Sequence, residues 1–230
     1  MLKGATEHMS TVMTKQKVIL LPGYSFWKSA IDHLVAVSAL IILSPLLVLI
    51  AIGIKLDSRG SVIFAQERVG KGGQRFIAYK FRTMHTNNDD NKYKEYLSKY
   101  VLENAPYRLD QNGQGIYKVD DAQVTRFGAI LRKTNLDELP QFINVLKGEM
   151  SVVGPRPDVP FAVSMYTKQH LKRLSVKPGI TGMWQVCGRK NISFEDMVRF
   201  DLEYIENQSL LLDIKILLLT VRTILKEDGS

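Results

Sequence analysis

Asp137 and Glu138 stand side by side in T-N-L-D-E-L-P-Q, residues 134–141, with Arg126, Arg132 and Lys133 just before them. Thr134 and Asn135 are helix-cap types. Leu139, Phe142, Ile143 and Leu146 then recur at i, i+3, i+4 and i+7, so the acids fall at or just inside the start of an amphipathic helix that stops at Gly148. The unpaired N–H groups and positive dipole end of a helix start favour carboxylates, and equally phosphates. Capping alone would account for the pair. The stiff loops around it argue for more. S-V-V-G-P-R-P at 151–157 holds Arg156 between prolines, K-P-G-I-T-G at 177–182 turns on Pro-Gly, and V-C-G-R at 186–189 sets Arg189 beside a glycine. Arginines on rigid loops suit bidentate recognition of a diphosphate; adjacent carboxylates beside phosphates suit Mg2+, which takes one or two acids plus substrate oxygens. A carboxylate can also attack phosphorus to give an acyl phosphate. The chemistry indicated is phosphoryl transfer, without a Walker A loop, a G-x-G-x-x-G turn or a kinase motif set.

The elements that must position these residues begin with an apolar run. Leu34 to Ile54 contains 21 residues without a charge, about 31 Å as a helix, which matches a bilayer core. It starts too far into the chain and is too long for a cleavable signal. Pro45 interrupts it at a cost of about 3 kcal/mol in a helix interior, and the Ser44 hydroxyl can relieve the orphaned carbonyl at Leu40 or Ile41. Lys15, Lys17 and Lys28 precede the run; Lys55, Arg59, Arg68 and Lys71 follow it. Basic flanks on both sides ask for both ends on the cytoplasmic face. A helix that bends at Ser44-Pro45 and returns satisfies this, and a single kinked span is the alternative.

The organisation expected is therefore a lead-in over 1–27, a membrane helix over 28–55 and a cytoplasmic-face catalytic domain over 56–230. Within that domain, V-I-F-A-Q-E-R at 62–68 and R-F-I-A-Y-K-F-R at 75–82 form a β-hairpin across V-G-K-G-G-Q. Residues 85–124 are a polar insertion holding one short helix over 93–102 and a Q-N-G-Q-G turn at 111–115; Asp89-Asp90 and Asp120-Asp121 read as solvated turn or cap residues. Arg126–Arg132 is a short basic helix, and 194–226 carries two more. The last, with Asp213, Lys215 and Arg222 breaking its apolar run, is too interrupted to cross a bilayer and suits either the interface plane or core packing.

Composition bounds the rest. The net charge of +8, from 31 Lys+Arg against 23 Asp+Glu, points to an anionic partner such as nucleic acid, an acidic membrane surface or a phosphorylated substrate. Cys187 is the single cysteine, which excludes an intramolecular disulfide, and His8, His33, His85 and His170 lack metal-ligand spacing.

At the level of whole motifs the chain resembles the bacterial sugar transferases known as monotopic polyprenyl-phosphate phosphoglycosyl transferases. The likeness runs from about Lys28 to Val221. It rests on S-P at 44–45, Q-E-R-V-G at 66–70, Y-K-F-R-T-M at 79–84, L-R-K-T-N-L-D-E-L-P-Q at 131–141, N-V-L-K-G-E-M-S-V-V-G-P-R-P at 144–157 and P-G-I-T-G-M-W-Q-V-C-G-R at 178–189. The resemblance implies an α+β fold, mostly helical, with a re-entrant membrane helix broken at Ser44-Pro45, a small β-hairpin and amphipathic interfacial helices. It implies transfer of a sugar-1-phosphate from a UDP-sugar to undecaprenyl phosphate with release of UMP, as the first membrane step of exopolysaccharide, O-antigen or glycoconjugate synthesis at the bacterial inner membrane. Asp137 would be the nucleophile and Glu138 would help it hold Mg2+. Lys80, Arg82, Arg132, Arg156 and Arg189 would line the phosphate site, and Asp201 matches an acidic position near these loops. The family often has serine or asparagine where Cys187 stands and an aromatic where Gln208 stands. The long insertion is similar to that of members handling glucose or galactose. A bilayer with an anionic cytoplasmic leaflet is the expected partner; nucleic acid is not, and a homodimer is left open. The competing class is a membrane-anchored basic scaffold or nucleic-acid binder whose acids only cap a helix, but no aromatic-basic RNA motif accompanies it.

Overall fold

The computed structural model describes residues 23–85, 90–104, 123–187 and 192–227. The lead-in up to residue 22, Asp89, the 111–115 turn, Asp120-Asp121 and Arg189 lie outside the described residues.

The apolar run forms two helices, α1 (Tyr24–Ile42) and α2 (Ser44–Asp57), where one was expected over 28–55. Leu43 between them has φ −87° and ψ 1°, the sparsely populated bridge region. Pro45 sits in the first turn of α2, where its missing N–H costs nothing. The Ser44 hydroxyl donates to the Ile41 carbonyl at 2.8 Å, one of the two acceptors expected. By length and composition α1 can cross a membrane, and the globular part covers little of it.

Both ends of this helical pair are fastened to the folded body. Asp32 in α1 is buried and accepts from Val152 N at 3.1 Å. Lys28 reaches Asp213 at 2.7 Å, and Tyr204 donates to the other oxygen of that carboxylate at 2.8 Å. At the far end, Asp57 accepts from Phe127 N at 3.0 Å and Arg82 donates to the Ser58 carbonyl at 2.8 Å.

The hairpin forms as β1 (Ile63–Val69) and β2 (Arg75–Phe81), antiparallel, with Phe64 opposite Lys80 and Gln66 opposite Ala78. A 3₁₀ turn with Gly72 at φ 67° closes it, a value open to glycine. Helix α3 (Asp90–Leu102) follows, then α4 (Arg126–Thr134), whose Thr125 cap accepts from Gly128 N. Asn135, expected to start the next helix, ends this one instead, with φ 56°. The helix expected from Leu139 to Lys147 is shorter: Leu136–Glu138 is a 3₁₀ turn and only Gln141–Leu146 is α-helical, as α5. Apolar spacing alone does not register a left-handed residue or a proline at the start.

A second sheet has no precursor in the hydrophobic pattern. β3 (Ser151–Val153) pairs in parallel with β4 (Gly179–Thr181), after the short helix α6 (Pro160–Val163) and a 3₁₀ segment His170–Ser175. A Cβ on Gly179 would lie 2.1 Å from Gly154 N, so this approach requires glycine. Helices α7 (Met183–Cys187), α8 (Phe194–Glu206) and α9 (Leu210–Glu227) complete the chain. α8 is capped by Ser193, which accepts from Asp196 N. One core cluster joins α1, α5, β3 and α8, including Ala36, Val145, Val153 and Tyr204. A smaller one joins α2 to the hairpin and α4 through Ile50, Ile54, Phe81 and Leu131.

Candidate active site

The acids ride on the 3₁₀ turn between α4 and α5. Leu136 and Leu139, on either side of them, pack against the cluster that contains Ile50 and Ile54 of α2. With the leucines tied down, Asp137 and Glu138 point away towards β2. Helix α5 is fixed to the same strand by Asn144, fully buried, which accepts from Tyr79 N at 3.1 Å and donates to the Ile77 carbonyl at 2.6 Å.

Lys80 of β2 meets Glu138 Oε1 at 2.7 Å and stands 3.9 Å from Asp137 Oδ2. Arg156, from the loop after β3, grips Glu138 with two nitrogens, at 2.6 Å to Oε1 and 3.2 Å to Oε2. Glu138 thus takes three charge-assisted hydrogen bonds from two cations. Asp137 accepts none among the described residues. Burial pushes the Glu138 carboxyl up, but Arg156 and Lys80 outweigh it and hold it well below the usual carboxylate range. Asp137 goes the other way: burial raises it, Lys80 only partly offsets this, and the charge on Glu138 adds to the rise. Burial pulls Lys80 below the ordinary lysine range despite Glu138. Two neighbouring carboxylates are therefore pushed apart, the pattern by which one site assigns different roles to like groups.

Arg132 bonds Thr83 Oγ1 through Nε at 2.9 Å and its charge bears on Asp137. These residues, Lys80, Asp137, Glu138, Arg132 and Arg156, are the expected ones that come together. Arg82 does not join the acids. It is buried, and its Nη2 bonds the carbonyl and hydroxyl of Ser58 at 2.8 Å each, at the C-terminal end of α2. There a cation meets the negative end of the helix dipole. Nor does Asp201 face the acids: it is 1% exposed and pairs with Arg173 Nε at 2.7 Å.

Sequence reasoning missed Arg173, together with Asp158 and Tyr166, which contact it. Arg173 sits in L-K-R-L, a run that reads as a surface face, and only the tertiary fold buries it. Asp158 directly follows the G-P-R-P stretch, the one local hint available.

For Mg2+, the residues present fit a shared site. Asp137 has both oxygens without hydrogen bonds among the described residues, and Glu138 Oε2 takes a single bond of 3.2 Å. Two carboxylates leave the remaining positions to water and substrate phosphates, the usual arrangement for this ion. Among the described residues no cluster of three His, Cys, Asp or Glu side chains exists, so a closed all-protein cage is not built.

The sequence that folds into this mostly helical body, with its apolar helical pair and its Asp-Glu dyad, is matched by a family model. The chain belongs to the bacterial sugar transferase family, whose model matches residues 23–227. It is 36% identical over 231 aligned residues to the exopolysaccharide production protein ExoY of Sinorhizobium fredii, covering the whole of both chains. It is 39% identical to the undecaprenyl-phosphate galactose phosphotransferase of Salmonella typhimurium, over 89% of this chain and 42% of that one. The same identity holds with the UDP-glucose:undecaprenyl-phosphate glucose-1-phosphate transferase of Xanthomonas campestris, over 86% and 38%. The chain thus spans less than half the length of several relatives and the full length of another.

Proposed function

We propose that the protein transfers a sugar-1-phosphate from a UDP-sugar to undecaprenyl phosphate in two steps, with Asp137 as the nucleophile. The observation that carries this is the division within the dyad: Glu138 is held by two cations, and Asp137, 3.9 Å from Lys80, has no hydrogen bond among the described residues to blunt it. An Asp137 oxygen attacks the phosphorus that bears the sugar, and the bond from that phosphorus to the bridging oxygen breaks. UMP leaves and the phospho-sugar stays on the carboxyl. An oxygen of the lipid phosphate then attacks the same phosphorus, the acyl-phosphate bond breaks, and Asp137 returns as a carboxylate. Charge and protons balance with no net acid or base.

Arg132 and Arg156 sit where a diphosphate can be oriented, and Lys80 offsets charge as it builds on the transferred group. Asp137 and Glu138 Oε2 would hold Mg2+, which supplies neutralisation of the diphosphate charge. Alternating use of one shallow site suits substrates of opposite habit, one dissolved in cytosol and one in lipid.

A re-entrant helix is supported by the anchoring. Were α1 and α2 a single straight helix, Asp32 and Ser58 would be about 39 Å apart. Instead α1 packs along α5, which is tied to β2 at Tyr79, and Ser58 is tied to Arg82, one residue past the end of β2; Tyr79 and Arg82 are only about 10 Å apart along extended chain. Both ends lying on one body fits entry and return on the cytoplasmic face of the inner membrane. The outer side of α9 carries Leu211, Ile214, Leu218 and Val221, all more than half exposed, at helical spacing beside Lys215 and Arg222. That stripe suits the anionic headgroup layer.

The test is intact-protein mass analysis after incubation with UDP-sugar and no lipid acceptor. The wild type should gain one hexose phosphate and release an equivalent of UMP, and Asp137→Asn should do neither. UMP release by Asp137→Asn at a substantial fraction of the wild-type rate would overturn the assignment.

A further inference from the structure

Arg173 is 3% exposed, and all its nitrogens are engaged. Nε donates to Asp201 at 2.7 Å, Nη1 to Asp158 at 2.9 Å and to the Tyr166 hydroxyl, and Nη2 to the backbone carbonyl of Arg156 at 3.3 Å. That last bond lands on the loop whose side chain grips Glu138. The next two carbonyls are pinned as well, Pro157 by Arg68 Nη1 at 3.1 Å and Asp158 by Val69 N at 2.9 Å. Three consecutive carbonyls accept from donors set on a 3₁₀ segment and on β1, so the backbone from which Arg156 reaches the dyad is fixed on one side.

The geometry points to Arg173 as a positioning residue for the transfer reaction: anchored by Asp201 and Asp158, it fixes the Arg156 backbone and through it the grip on Glu138. This rests on the reading of Asp137 as nucleophile, and it moves Asp201 from the phosphate to the support of Arg173. A planar guanidinium is needed because it can direct donors to two carboxylates and a carbonyl at once; an ammonium lacks that fork. The contacts exceed what burial of a surface arginine would require, since two carboxylates compensate a single cation whose remaining donor goes to the catalytic loop.

Arg173→Met would strand two buried carboxylates and threatens folding, so Arg173→Lys and Asp201→Asn are the informative variants. The measurement is the single-turnover rate of phospho-sugar adduct formation at saturating UDP-sugar, normalised to folded protein, with thermal melting in parallel. Arg173→Lys should slow adduct formation by about 10- to 100-fold, the range seen when a residue that orients a ligand's partner is changed. Asp201→Asn should slow it by less. Arg173→Lys combined with Arg156→Lys should lose no more than Arg156→Lys alone, because one acts through the other. A wild-type rate in Arg173→Lys, a fall in melting temperature with no change in rate, or multiplying losses in the double variant would each overturn the proposal. Asp137→Asn serves as the separate control. If it still releases UMP, the nucleophile assignment fails, and the Arg173–Arg156 coupling is then read from UMP release.

Discussion

Lys80→Met isolates what the buried lysine does for Asp137. At 3.9 Å two unit charges interact by about 4 kcal/mol at an effective dielectric of 20 and about 1 kcal/mol in bulk water. The Asp137 and Lys80 side chains are 13% and 20% exposed, so the former is the closer guide. At about 1.4 kcal/mol per pH unit, removal of Lys80 should raise the Asp137 carboxyl by roughly 1 to 3 units. Its direction is unambiguous: the carboxyl is already raised by burial, and loss of a cation raises it further. If Asp137 reacts as the carboxylate, as proposed, the acid limb of kcat/KM for UMP release reports its ionisation in the free enzyme. That limb should move to higher pH by the same amount in Lys80→Met and stay in place in Lys80→Arg. The alkaline side carries a second signature. Because burial lowers the lysine, the wild-type activity should decline before the free-lysine value of about 10.4, and this decline should vanish in Lys80→Met. An acid limb that stays within a few tenths of a unit, or moves down, refutes the electrostatic reasoning even if the variant is slow.

Lys28→Met leaves Asp213 buried with only the hydroxyls of Tyr204, at 2.8 Å, and Tyr24, at 3.5 Å, among the described residues; loss of one partner of a buried pair costs about 3–5 kcal/mol, so the melting midpoint should fall by roughly 6–20 °C, and Asp213→Asn in the same chain should restore part of it. Gly53→Leu places a side chain where even a Cβ would come 2.7 Å from the Phe127 ring; overpacking of about 1–3 kcal/mol is expected, read as a lower melting midpoint in nanodiscs, with Ile52→Leu, on an exposed position of α2, as the unchanged comparison.

The local signals carried well where chemistry and local structure coincide. The hairpin came within a residue of its bounds because alternation and a Gly-Gly turn specify it, and the Ser44 back-bond followed from helix geometry. That Arg156 would lie near the dyad was legible from the rigid G-P-R-P loop, and the structure brings it to Glu138. What failed was long-range. Arg82 shares a motif with Lys80 yet serves Ser58; alternation along a strand sends neighbours to opposite faces, but two residues on the same face can still meet different elements. Asp201 and Arg173 are 28 residues apart in sequence, and nothing near either one advertises the other. The parallel β3–β4 pair is three residues a side, too short for any period to mark it. The amphipathic helix was misplaced because Asn135 adopts a left-handed conformation, which a cap-type residue permits at either end of a helix.

The chain at β2 also couples the apolar helical pair to the dyad. Lys80 on β2 and Arg82 just past its end are two residues apart, about 7 Å. One holds the dyad, and the other holds Ser58 where α2 leaves the apolar run. From the other side, Leu136 and Leu139, which bracket the acids, pack against the cluster that contains Ile50 and Ile54 of α2. The turn that carries Asp137 is therefore tied towards α2 from two sides. A straight span would carry Ser58 away from the anchored end of α1 and with it the leucine contacts that aim the carboxyl. On the proposed reading, the bend at Leu43 would keep the Asp137 carboxyl at the depth of a lipid phosphate, and Pro45, in the first turn of α2 where its missing N–H costs nothing, allows that bend.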